Sequence, residues 1–208
     1  MICTKQEIVQ ALQNGEVVGI PTDTVYGLAV LKDSVEMIYE LKNRDRAKKL
    51  ITFIKKPEQI GPVDEFTYEE LVTITKKYWP GNNTLIFSQE NEDVAYRIPK
   101  EINVLNILED LDDSLLTTSA NISGFAPCLT AEEFLKTFPM IKLLEEKQQS
   151  IKTNKPSNIY IIKKKGIKKI RWKYENNNWL RSCRQGAKIK TYWIFKRKKL
   201  WNWRLWNS

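Results

Sequence analysis

Apolar and polar positions along the first 162 residues switch between a helical period and a strand period. Thr4-Lys5-Gln6-Glu7 has the Thr-x-x-Glu form of a capping box, and Ile8, Val9 and Leu12 follow on one helical face until Gly15 stops the run. Residues 16–20 read as a strand closed by Pro21. Val35–Lys42 reads as a helix with Ile38 and Leu41 inward and Ser34 or Asp33 as its cap. Residues 50–54 form a short apolar strand. A second Thr-x-x-Glu, Thr67 to Glu70, opens a helix carrying Leu71, Ile74 and Tyr78, which Trp79-Pro80-Gly81 ends. Strands are expected over residues 83–88 and 94–98, a helix over 102–108 and a strand over 115–118. A third Thr-x-x-Glu, Thr130 to Glu133, opens a helix reaching Phe138, and residues 158–162 form a late strand.

This alternation predicts an α/β fold in irregular order, without internal repeats. The unusual residues gather in short turns after strands, where open α/β sheets hold ligands. From about residue 163 the pattern lapses. Lys163-Lys164-Lys165, Lys168-Lys169 and Lys196-Arg197-Lys198-Lys199 alternate with Trp172, Trp179, Trp193, Trp201, Trp203 and Trp206, and no period of 3.6 or 2.0 organises them. The expected organisation is a domain over residues 1–170 and a basic, Trp-rich tail over 171–208, disordered or atypical.

Charge sharpens that division. Residues 1–162 hold 18 Lys and Arg against 24 Asp and Glu, a net of −6, and residues 163–208 hold 16 against Glu175 alone, a net of +15. The overall +9 is therefore a property of the tail. Basic residues interleaved with Trp could grip RNA through phosphates and stacking, but a poorly ordered tail is the preferred reading. The chain has no histidine, which excludes a His base, a Ser-His or Cys-His pair and His-ligated metal. Cys3, Cys128 and Cys183 are widely spaced and form no CxxC pair, so neither a zinc site nor a disulfide framework is indicated. No apolar run approaches a membrane span, and the first residues lack the apolar stretch of a signal peptide. A soluble, cytoplasmic protein is expected.

Four clusters carry candidate chemistry. Pro21-Thr22-Asp23-Thr24-Val25-Tyr26-Gly27-Leu28 sets hydroxyls, an acid and a phenol on a turn; it reads either as a polar-ligand site or, favoured on its own, as a turn bonded to its own backbone. Lys42-Asn43-Arg44-Asp45-Arg46-Ala47-Lys48-Lys49 could hold a triphosphate or face solvent at a helix C-terminus. Thr118-Ser119-Ala120-Asn121-Ile122-Ser123-Gly124 could bind phosphate or ribose oxygens or be an ordinary strand exit. Arg97, within Tyr96-Arg97-Ile98-Pro99, is a lone cation in an apolar strand. It either points outward or needs an anion.

Taken together, and in this order, the clusters resemble the YrdC-type threonylcarbamoyl-AMP synthase family over roughly residues 5 to 162. The resemblance rests on Pro21 to Leu28, the Lys42/Arg44 pair with Lys48 and Leu50, Trp79-Pro80-Gly81 with Thr84 to Ile86, Arg97-Ile98-Pro99, Ser119 to Gly124, and Pro156-Ser157-Asn158-Ile159. It implies a twisted, mixed sheet surrounded by helices with an open concave cavity. It also implies synthesis of threonylcarbamoyl-AMP from L-threonine, bicarbonate and ATP, as the activation step for modifying adenosine 37 of tRNA. Lys42, Arg44, Ser119 and Asn121 would form the catalytic constellation. Arg44, Lys48, Ser119, Asn121 and, more distantly, Arg184 would bind ATP. Thr24, Arg97 and Ser157 would hold threonine, with Arg97 on its carboxylate. No dedicated metal motif is present, so Mg²⁺ would arrive with ATP. Implied partners are tRNA and the threonylcarbamoyl transferase complex, with no membrane. The rival readings are a non-catalytic tRNA or double-stranded RNA binder and an enzyme using carbamoyl phosphate. Phe53 stands where many relatives carry His, Asn82-Asn83 replaces a usual Pro-Leu, and Asp45 and Lys49 replace two prolines.

Overall fold

The computed structural model describes residues 1–90, 92–146 and 155–170; Arg184 and the Trp-rich segment 171–208 lie outside the described residues. Five α-helices form where the apolar period is helical: α1 (Lys5–Gln13), α2 (Val35–Lys42), α3 (Tyr68–Thr75), α4 (Ile102–Leu111) and α5 (Ala131–Thr137). Two of the three capping boxes close as expected. Thr4 accepts from Glu7 N while the Glu7 carboxylate accepts from Thr4 N at 2.8 Å, and Thr67 and Glu70 repeat the arrangement. The third is half a box. Thr130 caps Glu133 N at 3.1 Å, but the Glu133 carboxylate reaches Leu129 N, one residue before the cap. Ser34 is the N-cap of α2 without a side-chain capping bond, because a 3₁₀ turn over Lys32–Ser34 leads into that helix.

Ten strands are described: β1 (Ile2–Cys3), β2 (Val18–Ile20), β3 (Gly27–Val30), β4 (Ile51–Phe53), β5 (Asn83–Gln89), β6 (Glu92–Arg97), β7 (Leu115–Ser119), β8 (Lys142–Leu144), β9 (Asn158–Lys163) and β10 (Gly166–Ile170). They form one sheet in the order β1-β8-β2-β3-β7-β4-β6-β5-β9-β10. Pairing is parallel at β1/β8, β2/β8, β4/β6 and β5/β9 and antiparallel elsewhere, which makes the sheet mixed. The expected α/β class with a mixed sheet holds.

Ile8, Leu12, Ile20, Phe53, Ile107, Leu108 and Leu115 pack α1 and α4 against the sheet. Leu71, Trp79, Leu85, Phe87, Tyr96, Ile98 and Ile162 form a second cluster beneath α3. Burying each large apolar side chain contributes about 1.5–3 kcal/mol. β3 and β7 lie mid-sheet, and β3 is buried at all four positions. The register sets Gly27 level with Ser119, whereas Arg97 is level with Phe53 and Leu115, four residues away along β7. Among the described residues, no helix is long and apolar enough to cross a membrane.

Candidate active site

The segment between β2 and β3, residues 21–26, is buried from Thr22 through Tyr26. Thr22 behaves as a self-bonded turn residue: its hydroxyl donates to Val25 O at 2.7 Å and accepts from Thr24 N at 3.1 Å. Asp23 and Thr24 do something else. They reach the end of β6, where Arg97 is only 3% exposed. Arg97 Nη2 donates to Asp23 Oδ1 at 2.7 Å, Nη1 to Thr24 Oγ1 at 3.2 Å, and Nε to Gly81 O at 2.8 Å. Its guanidinium lies 5.4 Å from the centre of the Phe53 ring. The outward, solvated reading of this strand arginine is therefore overturned. The anion that its burial requires is Asp23, supplied by the chain itself. Burial lowers the Arg97 pKa from its ordinary value, and the Asp23 carboxylate opposes that shift. Among the described residues, three of the five guanidinium N–H groups have acceptors, which leaves two.

A second cluster forms where α2 ends. Asn43 takes up the left-handed conformation, φ 48°, and closes the helix one residue after Lys42. Lys42 does not trail into solvent as a helix-end cation. It is 1% exposed, and its Nζ donates to Ser119 O and, at 2.8 Å, to Asn121 Oδ1. Ser119 Oγ donates to the same Asn121 oxygen at 2.7 Å, and Asn121 Nδ2 donates to Phe125 O at 2.7 Å. The turn after β7 is thus both locally bonded and joined to Lys42. No carboxylate is in ion-pair contact with Lys42 among the described residues. Burial, and next the neighbouring Arg44 charge, push its amine down to about 7.

The basic loop divides its labour. Arg46 pairs with Glu36 and Lys49 with Glu92, so both are committed to surface carboxylates. Arg44 is half-buried and clasps its own loop, with Nε donating to Lys48 O at 2.9 Å and Nη2 to Lys49 O at 3.0 Å. Burial holds its pKa below the usual range. The Lys48 side chain is exposed. Ser157 shares a 2.8 Å hydroxyl contact with the buried Thr84, in the stretch that follows Gly81.

The backbone joins the two clusters. Ala120, between Ser119 and Asn121, donates its N–H to Tyr26 O at 2.8 Å, and Tyr26 lies two residues after Thr24. Lys42, Ser119 and Asn121 are thus in mutual contact, and so are Thr24 and Arg97. Arg44 and Lys48 share the loop after α2, and Ser157 meets Thr84 of β5. The sequence reading assigned no role to Asp23 or Gly81. The signal for Asp23 was available, since a buried strand arginine needs an acid and Asp23 sits inside the most unusual motif. Gly81 lies in the Trp79-Pro80-Gly81 motif, but it meets Arg97 through its backbone carbonyl, a contact that residue type does not reveal.

The chain matches the Sua5/YciO/YrdC family model, described as "Telomere recombination", over residues 10–172. It is 33% identical over 144 residues to a threonylcarbamoyl-AMP synthase of Vibrio parahaemolyticus, covering 62% of this chain and 77% of that protein. It is 31% identical over 170 residues to one of Vibrio campbellii, covering 74% and 91%. Among solved structures, P. abyssi Sua5 complexed with L-threonine superposes with TM-score 0.71 at 24% identity, covering 82% of this chain and 57% of that one. This chain therefore spans little more than half of that protein. E. coli YciO gives TM-score 0.65 at 17% identity, covering 82% and 94%. At these identities the likeness to the solved structures is one of fold.

Proposed function

The chain belongs to the Sua5/YciO/YrdC family, and from that premise we propose that it joins L-threonine, bicarbonate and ATP into threonylcarbamoyl-AMP, releasing pyrophosphate. The observation that carries this reading is the backbone link from Tyr26 to Ala120, which ties the Arg97–Thr24 cluster to the Lys42–Ser119–Asn121 cluster. One cluster offers a cation and acceptors suited to an amino-acid head group, and the other offers an amine, a hydroxyl and an amide suited to phosphate and ribose oxygens.

The chemistry needs no enzyme nucleophile, in keeping with a chain that lacks histidine. Bicarbonate takes up a proton and loses water to give CO₂; the threonine amine, once deprotonated, adds to that CO₂ and releases a further proton to give a carbamate. A carbamate oxygen attacks the α-phosphorus of ATP, the bond to the β-phosphate oxygen breaks, and pyrophosphate leaves. The protein's task is alignment and charge neutralisation. In this reading Arg97 holds the threonine carboxylate with its two unspent N–H groups, while Thr24 and Ser157 orient the rest of the amino acid. Lys42, Arg44 and Lys48 face the phosphates, and Ser119 and Asn121 complete the nucleotide site. Arg184 is retained as an ATP contact on sequence grounds alone. Mg²⁺ fits as a passenger of the triphosphate. Among the described residues no group of three His, Cys, Asp or Glu could hold a metal, and the donors near Lys42 include no carboxylate. In this reading the labile adenylate is consumed by a threonylcarbamoyl transferase acting on tRNA, and a cytoplasmic setting is proposed with it.

The test is pyrophosphate release coupled to mass-spectrometric detection of the adenylate from purified protein. Turnover is expected only with ATP, threonine and bicarbonate together. Release that ignores threonine and needs carbamoyl phosphate would point to the rival enzyme, and no release at all would leave only an RNA-binding role.

A further inference from the structure

The hydrogen-bond chain through Thr22, Thr24 and Arg97 can be assigned proton by proton. A hydroxyl has one proton to give and two lone pairs to receive. Thr22 Oγ1 lies 2.7 Å from Val25 O, a carbonyl that can only accept, so the Thr22 proton is spent there. The 2.8 Å contact between the Thr22 and Thr24 hydroxyls must then be donated by Thr24. Thr22 also receives Thr24 N at 3.1 Å, which fills its second lone pair. Thr24 has now given its only proton and receives one N–H from Arg97 at 3.2 Å. One lone pair is left on Thr24 Oγ1. Thr22 and Thr24 are each 3% exposed, so water does not readily scramble the arrangement.

We propose that Thr22 is a positioning residue for amino-acid specificity: it fixes Thr24 as an obligate hydrogen-bond acceptor facing the ligand. This rests on the amino-acid reading of the Arg97 cluster and extends it to a residue two positions upstream. The cluster then presents a sorted set of groups. Arg97 keeps two donors for a carboxylate, and Thr24 and Asp23 offer acceptors for an amine or a β-hydroxyl. An α-amino acid bearing a hydroxyl matches that set, whereas a dicarboxylic acid would set a second anion against acceptors. If Thr22 could not take the Thr24 proton, the Thr24 hydroxyl could turn that proton toward the ligand, and the discrimination would fade.

Isothermal titration calorimetry with L-threonine and with MgATP tests this on wild type, Thr22→Val, Thr22→Ser, Thr24→Ala and the Thr22→Val/Thr24→Ala double variant. Thr22→Val keeps the shape and loses the hydroxyl; it should weaken threonine about tenfold, the worth of one hydrogen bond, and leave MgATP within about twofold. Thr22→Ser should restore threonine binding. In the Thr24→Ala background Thr22→Val should cost nothing further, because Thr22 acts through Thr24. Thermal melts report folding, and Thr22→Ala takes the place of valine if that variant does not fold. Unchanged threonine affinity in Thr22→Val overturns the inference. So does failure of serine to rescue, equal weakening of both ligands, or additivity in the cycle. A folded wild type that binds no threonine would instead sink the amino-acid reading itself.

Discussion

Replacing Lys42 by methionine keeps an unbranched side chain of similar length and removes the amine. In the folded protein that amine titrates at about 7, against 10.5 for an ordinary lysine. At roughly 1.4 kcal/mol per pH unit of difference, keeping the proton inside the fold costs about 4–5 kcal/mol below pH 7. The sign follows from proton counting. Between pH 7 and 10.5 the unfolded chain holds a proton that the folded chain has lost, so stability rises with pH in that window. Below pH 7 the penalty is complete and flat. Methionine also removes one of the donors to Ser119 O and one of the donors to Asn121 Oδ1, two hydrogen bonds together worth about 1–3 kcal/mol, but that loss is independent of pH. The informative quantity is therefore the difference between the two proteins, measured by urea unfolding at several pH values. From pH 7 to pH 9 wild type should gain about 2 kcal/mol relative to Lys42→Met. A difference that stays constant over those two units would refute the claim that Lys42 is buried without a counter-charge.

Two further outcomes follow from the same geometry. A triphosphate beside Lys42 should raise its pKa, so MgATP affinity should be greatest below pH 7 and fall as pH rises; calorimetry on Lys42→Met should show no such dependence. Gly19→Ala should cost about 1–3 kcal/mol, because a Cβ there would sit 2.2 Å from the buried Phe134 ring; an unchanged melting temperature would mean that α5 shifts without cost.

Helices were the most legible part of the chain. α1 and α3 are capped as their Thr-x-x-Glu patterns demand, and α2 spans Val35–Lys42 as its apolar period does. Strands were legible where they are long and alternate, as at β5 and β6. β1 and β8 were not, because two- and three-residue strands have too few positions to show a period and are defined by their partners, Ile2 with Leu143 and Val18 with Lys142. β3 was not legible because its Gly-Leu-Ala-Val is buried at every position and too short to show a period. β10 was missed because its lysines looked like the start of the tail, while its backbone pairs fully with β9.

The family motifs in the sequence decided which residue types would meet: hydroxyls, a strand arginine, a helix-end lysine and a Ser-x-Asn turn. That much is encoded locally, in residue identity and spacing. The sequence did not decide the partners. Whether Lys42 faces water or Asn121, and whether Arg97 takes Asp23 or points outward, depends on a sheet register that sets Ser119 beside Gly27 and on the return of residues 21–26 to Arg97. Burial and electrostatic pairing act through space between positions 73 to 79 residues apart, and no local pattern carries that distance.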